Sequence, residues 1–198
     1  LSPCAAMLAW LFVEKRRDGH PTSLGAASGA VAGLVAITPS GGAVAPVGAL
    51  LIGLVAGALC AYAVGWKFSL GYDDSLDVVG VHLVGGVVGT LGIGFLADPR
   101  TATGVAGLFY GGGAVQLERQ AVAVGVVLAF SFSMTFAIAT VLSKTIGMRV
   151  TAQAETRGID LAEHSEAGYD LTPVQHSAYR AVRQTLVFHP DDLPARQE

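Results

Sequence analysis

Long apolar runs separated by short polar breaks dominate the chain. They occupy residues 1–13, 24–39, 47–66, 78–97 and 120–146. A membrane helix needs about 20 apolar residues. The third and fourth runs meet that length, and the fifth exceeds it enough to span with tilt. The first run is shorter, so it is expected to be a short core helix or the end of a longer span. It stops at Glu14-Lys15-Arg16-Arg17-Asp18-Gly19, a charged turn ahead of Pro21.

The breaks carry helix punctuation. Thr22 and Ser23 suit a helix start. Gly25, Gly29 and Gly33 then recur every four residues, the spacing of a small-residue ridge on which a second helix packs closely. That period disfavours a strand. Pro39, Gly41 and Gly42 end the second run. The third run follows Pro46, repeats the spacing at Gly53 and Gly57, and closes on Trp66 and Lys67, a pattern resembling an interfacial anchor. Residues 101–117 are uncharged too, but Gly104, Gly107, Gly111, Gly112 and Gly113 predict an ordered loop. The chain therefore divides into a transmembrane region, 1–147, and a polar tail, 148–198. A short amphipathic helix is expected over 173–188, and disorder over the last ten residues.

Composition strengthens the membrane reading. Hydrophobic residues make up 52% of the chain, charged residues only 14%, and glycine occurs 26 times. Soluble domains average about 25% charged residues and about 7% glycine. If the runs alternate across a bilayer, Lys15, Arg16, Arg17, Lys67, Lys144 and Arg149 share one side, and Arg100 and Arg119 flank the other. The excess assigns the first side, and the tail, to the cytoplasm. The basic clusters are too small for a nucleic-acid partner. Cys4 and Cys60 lie in apolar runs and read as small buried packing residues. His20, His164, His176 and His189 have no metal-ligand company at a recognisable spacing and are expected to face solvent. No metal, cofactor or enzymatic nucleophile is expected. Leu1 opens inside an apolar run without a basic lead-in, which reads as a chain cut in mid-element rather than a signal peptide.

The stretch 73–94, DDSLDVVGVHLVGGVVGTLGIG, is the chemical centre of this pattern. On a regular helix Val78, His82, Gly85, Gly86 and Gly89 share one stripe. An ionisable ring on a face without side-chain bulk points to a narrow path or a tight helix contact, and periodicity leaves both open. Ionisable groups inside a membrane usually face protein or a water-filled cavity. For Asp73, Asp74 and Asp77, capping of the following helix is the expected role.

This stretch resembles the signature late helix of the ammonium transporter family. GHPTSLGAASGAVAGLVAITPSGG, GLFYGGGAVQL and ETRGIDLAEHSEAGYDL are similar to other family segments, in the family's order. The resemblance implies an all-α membrane protein of eleven helices, with ten in two inverted repeats. This chain would hold the end of the seventh helix, the eighth to eleventh, and the cytoplasmic tail. It implies homotrimers in the plasma membrane, one hydrophobic pore per subunit, ammonium or ammonia as substrate, and a nitrogen-regulator signalling protein at the tail. By the same resemblance His82 is one of two facing pore histidines, Val78 lines the pore, and Asp77 sits near its cytoplasmic end. Gly25, Gly29, Gly33, Gly85, Gly86 and Gly89 are read as helix-packing positions. The partner histidine and the outer recruiting residues belong to a first half outside this sequence.

An imidazole, ordinarily titrating near about pH 6.5, both donates and accepts protons. A histidine pair could thus pass a proton while neutral ammonia crosses an apolar path. Two alternatives stand beside transport: an ammonium sensor of the same fold signalling through its tail, and a non-functional truncated product.

Overall fold

The computed structural model describes residues 1–166. The chain forms two compact units, Leu1–Ile138 and Ala139–Glu198. Those described residues are helical and contain no strand; Val44 and Ala97 form an isolated antiparallel bridge. The helix expected over 173–188 and the disorder expected at the chain end lie outside the described residues.

In the first unit, α1 (Ser2–Arg17) packs against both α2 (Ser23–Ile37) and α3 (Pro46–Ala63). Glycines make this close contact geometrically accessible. A Cβ at Gly29 would stand 2.8 Å from the Met7 Cα, and one at Gly33 would stand 2.6 Å from the Pro3 Cα. On α3, Gly53 faces the Ser2 backbone and Gly57 the Ala6 backbone. With no hydrophobic force between helices in lipid, such backbone proximity is what association rests on. Trp10, Val13, Ala32, Cys60, Ala61 and Val81 form one core cluster, and Ala36, Val44, Ile52 and Ala56 a second.

Helix α1 does not stop at its charged turn. It runs through Glu14 to Arg17, because Lys and Arg are good helix formers and suit a helix C-terminus. Arg17 Nη1 donates to the Ala61 carbonyl at 2.7 Å, which also ties α1 to the end of α3. Glu14 is folded inward, 8% exposed. Its carboxylate accepts from Thr22 N at 2.9 Å, from the Thr22 hydroxyl at 3.1 Å and from Trp10 Nε1 at 3.3 Å. Thr22 in turn caps α2, its Oγ1 accepting from Gly25 N at 2.8 Å. Gly25 therefore seats the Glu14 carboxylate rather than a helix backbone. The reading of both cysteines as buried requires correction: Cys60 is buried but Cys4 is exposed. It lies off the Ser2, Ala5 and Ala6 face that α1 buries.

A short helix α4 (Trp66–Leu70) follows α3. The fourth apolar run opens as a π-helical turn, Val78–Leu83, and continues as α5 (Val84–Leu96). At its far end Asp98 is buried and receives the Arg100 guanidinium, Nη2 to Oδ2 at 2.6 Å, and Arg100 N at 2.9 Å. Arg100 holds the Asp98 carboxyl below the usual carboxylate range, mainly through this side-chain hydrogen bond. Asp98 N donates to Ala43 O, and Gly107 N to Ala97 O, closing the loop.

The expected ordered loop is present over 101–114, with a 3-10 turn at Leu108–Tyr110. Gly111 and Gly113 take φ of 82° and 65°, a region costly for a residue with a Cβ. Helix α6 (Val115–Thr145) starts five positions before Gln120, with Glu118 in its first turn where the helix dipole favours an anion. Pro46–Leu70, Val78–Leu96 and Val115–Thr145 are long and apolar enough to cross a membrane; Ser23–Ile37 is apolar but shorter. In the second unit α7 (Ala152–Arg157), capped by Thr151, meets α8 (Ile159–His164) at Gly158.

Candidate functional site

The site is built on the entrance to the fourth run. Asp74 caps it: Oδ1 accepts from Val78 N at 2.7 Å and Oδ2 from Val79 N at 2.9 Å. The capping expected of the aspartates thus falls to Asp74. Asp77 instead pairs with Lys67, Nζ to Oδ1 at 2.7 Å, and its backbone is left-handed, with φ of 55°. Lys67 is accordingly held in the fold rather than extended as a free interfacial anchor.

The π turn then redistributes the stripe expected of a regular helix. In a π turn hydrogen bonds run from residue i to i+5, so residues four apart no longer stay in line. Gly85 and Gly89 are buried toward α2. A Cβ at Gly85 would lie 3.2 Å from Val35 Cγ1, and one at Gly89 would lie 2.7 Å from the Ala36 carbonyl carbon. Gly86 points elsewhere, with nothing within 4 Å of its added Cβ. Gly86, read from the sequence as a packing position, lies on the same side as His82, one turn further along α5. Val78 is half exposed and does not line the His82 cleft.

That cleft has a volume of about 540 Å³ and is open on one side. His82, Gly86 and Thr90 form one wall, Thr38 and Pro39 close it from the end of α2, and Val124 and Val127 face it from α6. Its polar side chains are His82, Thr38 and Thr90; the rest is apolar or backbone. The α2 and α6 contributors were not singled out in the sequence. Thr38-Pro39 reads there only as a helix break, and nothing in α6 marks Val124 or Val127 among many alternatives. The described residues of the cleft present no carboxylate side chain. Among the described residues, no group of His, Cys, Asp and Glu could hold a metal ion. His20 and His164 are exposed, and His176 and His189 lie outside the described residues.

Three helices long and apolar enough to cross a membrane, two of them lining a cleft with a single imidazole, define a multi-pass, all-α membrane protein. Residues 1–169 match the Ammonium Transporter Family, and the chain belongs to it. It is 59% identical over 177 residues to an ammonium transporter of Mycobacterium tuberculosis, covering 86% of this chain and 37% of that protein. An ammonium transporter of Corynebacterium glutamicum is 40% identical over 171 residues, covering 86% of this chain and 38% of that one. The crystal structure of Candida albicans Mep2 superposes with a TM-score of 0.70 at 29% identity, over 98% of this chain and 41% of that chain. That of Saccharomyces cerevisiae Mep2 gives 0.68 at 29% identity, over 77% and 36%. The chain thus spans 37% to 42% of the length of the curated relatives it matches.

Proposed function

We propose that this chain supplies one wall of a transmembrane ammonium pathway, with His82 as the group that handles the proton. The carrying observation is the placement of His82, with the hydroxyls of Thr38 and Thr90, on a largely apolar cleft within a family of ammonium transporters. Transfer of a full cation along such a surface is costly because nothing replaces its water. Ammonium at the mouth gives up a proton, neutral ammonia crosses the apolar segment, and the imidazole accepts and returns the proton through its two nitrogens. No covalent bond to nitrogen other than N–H changes, so the activity is transport rather than enzymatic conversion. A second imidazole from the part of the family fold that this sequence does not include completes the relay.

Assembly as a homotrimer in the plasma membrane, with the tail in the cytoplasm, accompanies this reading. The supports are the distribution of Lys and Arg about the spans and the family itself. A nitrogen-regulator protein reading the tail is the corresponding partner.

The test is uptake in cells lacking their own ammonium transporters. They receive this sequence completed upstream by the corresponding segment of the Mycobacterium tuberculosis relative. Restored growth on low ammonium is the expected result, and unchanged growth with the protein present in the membrane refutes it. Ending the chain after Gly147 separates transport from sensing: a transporter changes flux, whereas a sensor loses only its downstream response.

A further inference from the structure

We propose that Lys67 is a positioning residue for His82, acting through Asp77 at the start of the π turn. The inference rests on the reading that His82 takes part in ammonium passage, and adds the device that aims it.

Two acceptors meet at the Lys67 side-chain ammonium. Lys67 Nζ lies 2.7 Å from Asp77 Oδ1 and 3.0 Å from the Asp74 carbonyl oxygen. The Asp74 carboxylate accepts from the first two amides of the π turn, Val78 N and Val79 N. Lys67 therefore joins the cap of the turn to the residue preceding it. Both side chains of the ion pair are partly shielded, at 18% and 33% exposure, so solvent screens it less than a surface pair.

Asp77 is where this restraint matters. Its φ of 55° and ψ of 37° place it in the left-handed region, sparsely populated by residues with a side chain and tolerated best by Gly, Asn and Asp. Such a conformation persists when its surroundings over-determine it. The Asp77 carbonyl also accepts from Val81 N at 2.8 Å, so the direction of Asp77 is passed straight into the turn that carries His82. π turns are rare and concentrate at functional sites. If this one relaxed to regular α-helix, its start would rotate relative to Gly85 and Gly89 by up to one residue step, about 100°. His82 lies inside that segment, whereas Gly85 and Gly89 are clamped on α2. Lys67 thus holds His82 on the cleft without touching it.

The experiment uses the completed, assembled protein in proteoliposomes. Ammonium flux per protein is read together with the rate at which diethyl pyrocarbonate labels His82, resolved by peptide mass spectrometry. Lys67→Met is expected to lower flux about tenfold or more, as small misplacements of a reacting group do, and to change the His82 labelling rate beyond replicate spread. Lys67→Arg, which keeps a cation within reach of both oxygens, restores both readouts toward the parent. Asp77→Gly, which tolerates the left-handed backbone but removes the ion pair, reproduces the labelling change. Unchanged His82 labelling in assembled Lys67→Met overturns the proposal, whatever the flux. If His82→Ala itself leaves flux intact, the transport role of His82 fails. The positioning role is then decided by labelling alone.

Discussion

Gly86 and Gly89 lie within one turn of α5, yet the structure assigns them opposite costs for the same methyl group. At Gly89 a Cβ would stand 2.7 Å from the carbonyl carbon and 3.0 Å from the Cα of Ala36, and nearer still to its oxygen. All three are backbone atoms of α2, so relief requires moving a helix. Overpacking of this kind costs about 1–3 kcal/mol, and rigid backbone on both sides favours the upper part of that range. At Gly86 the Cβ would meet nothing within 4 Å. Both substitutions gain the same helix propensity, about 0.8–1.0 kcal/mol for Ala over Gly, which cancels in the comparison. Gly89→Ala should therefore be less stable than Gly86→Ala by about 1–3 kcal/mol. Thermal unfolding of the completed protein in detergent measures it as a lower midpoint for Gly89→Ala, with Gly86→Ala at or above the parent. Gly86→Ala losing as much as Gly89→Ala would refute the assignment of their faces. A second arm ties packing to function: Gly86→Leu fills the cleft and should reduce flux while assembly and midpoint stay near the parent's.

Two further outcomes are expected elsewhere. Glu14→Gln replaces a carboxylate whose two oxygens both accept with an amide that must present donors to donors; a loss of about 1–3 kcal/mol is expected by thermal unfolding, and no loss would contradict the inward placement of Glu14. The Asp98 carboxyl is held below its ordinary range, so its contribution is present above the ordinary carboxylate pKa and lost as pH falls through the depressed value. Arg100→Ala should therefore expose the 98–107 loop to hydrogen exchange at a higher pH than in the parent; an unchanged pH profile would refute that role for the pair.

The sequence pattern reveals what depends on periodicity and local capping. Thr22 announces the start of α2, and the Gly29/Gly33 and Gly53/Gly57 pairs announce the faces of α2 and α3 that pack on α1. Glu14 is different. In a run of charges it reads as part of a charged turn, and only the close approach of Gly25 and Thr22 shows it folded inward. The stripe through His82 fails for another local reason. Asp77 turns left-handed and a π turn follows, a departure that a 3.6-residue period does not contain. Gly86, beyond that turn, stays with His82, while Val78, at its beginning, leaves the cleft. Lys67 and Asp77 are ten positions apart, and no helical spacing links them. Thr38, Pro39 and the α6 valines become cleft residues only when three helices are brought together.

In the proposed pathway the His82 imidazole carries the proton step of ammonium passage. The most direct measurement compares ammonium-driven flux into proteoliposomes for the completed protein and its His82→Ala variant, normalised to assembled protein. Loss of general acid–base chemistry predicts a fall of at least about a hundredfold, with assembly and unfolding midpoint unchanged. Parental flux from an assembled His82→Ala protein would contradict it.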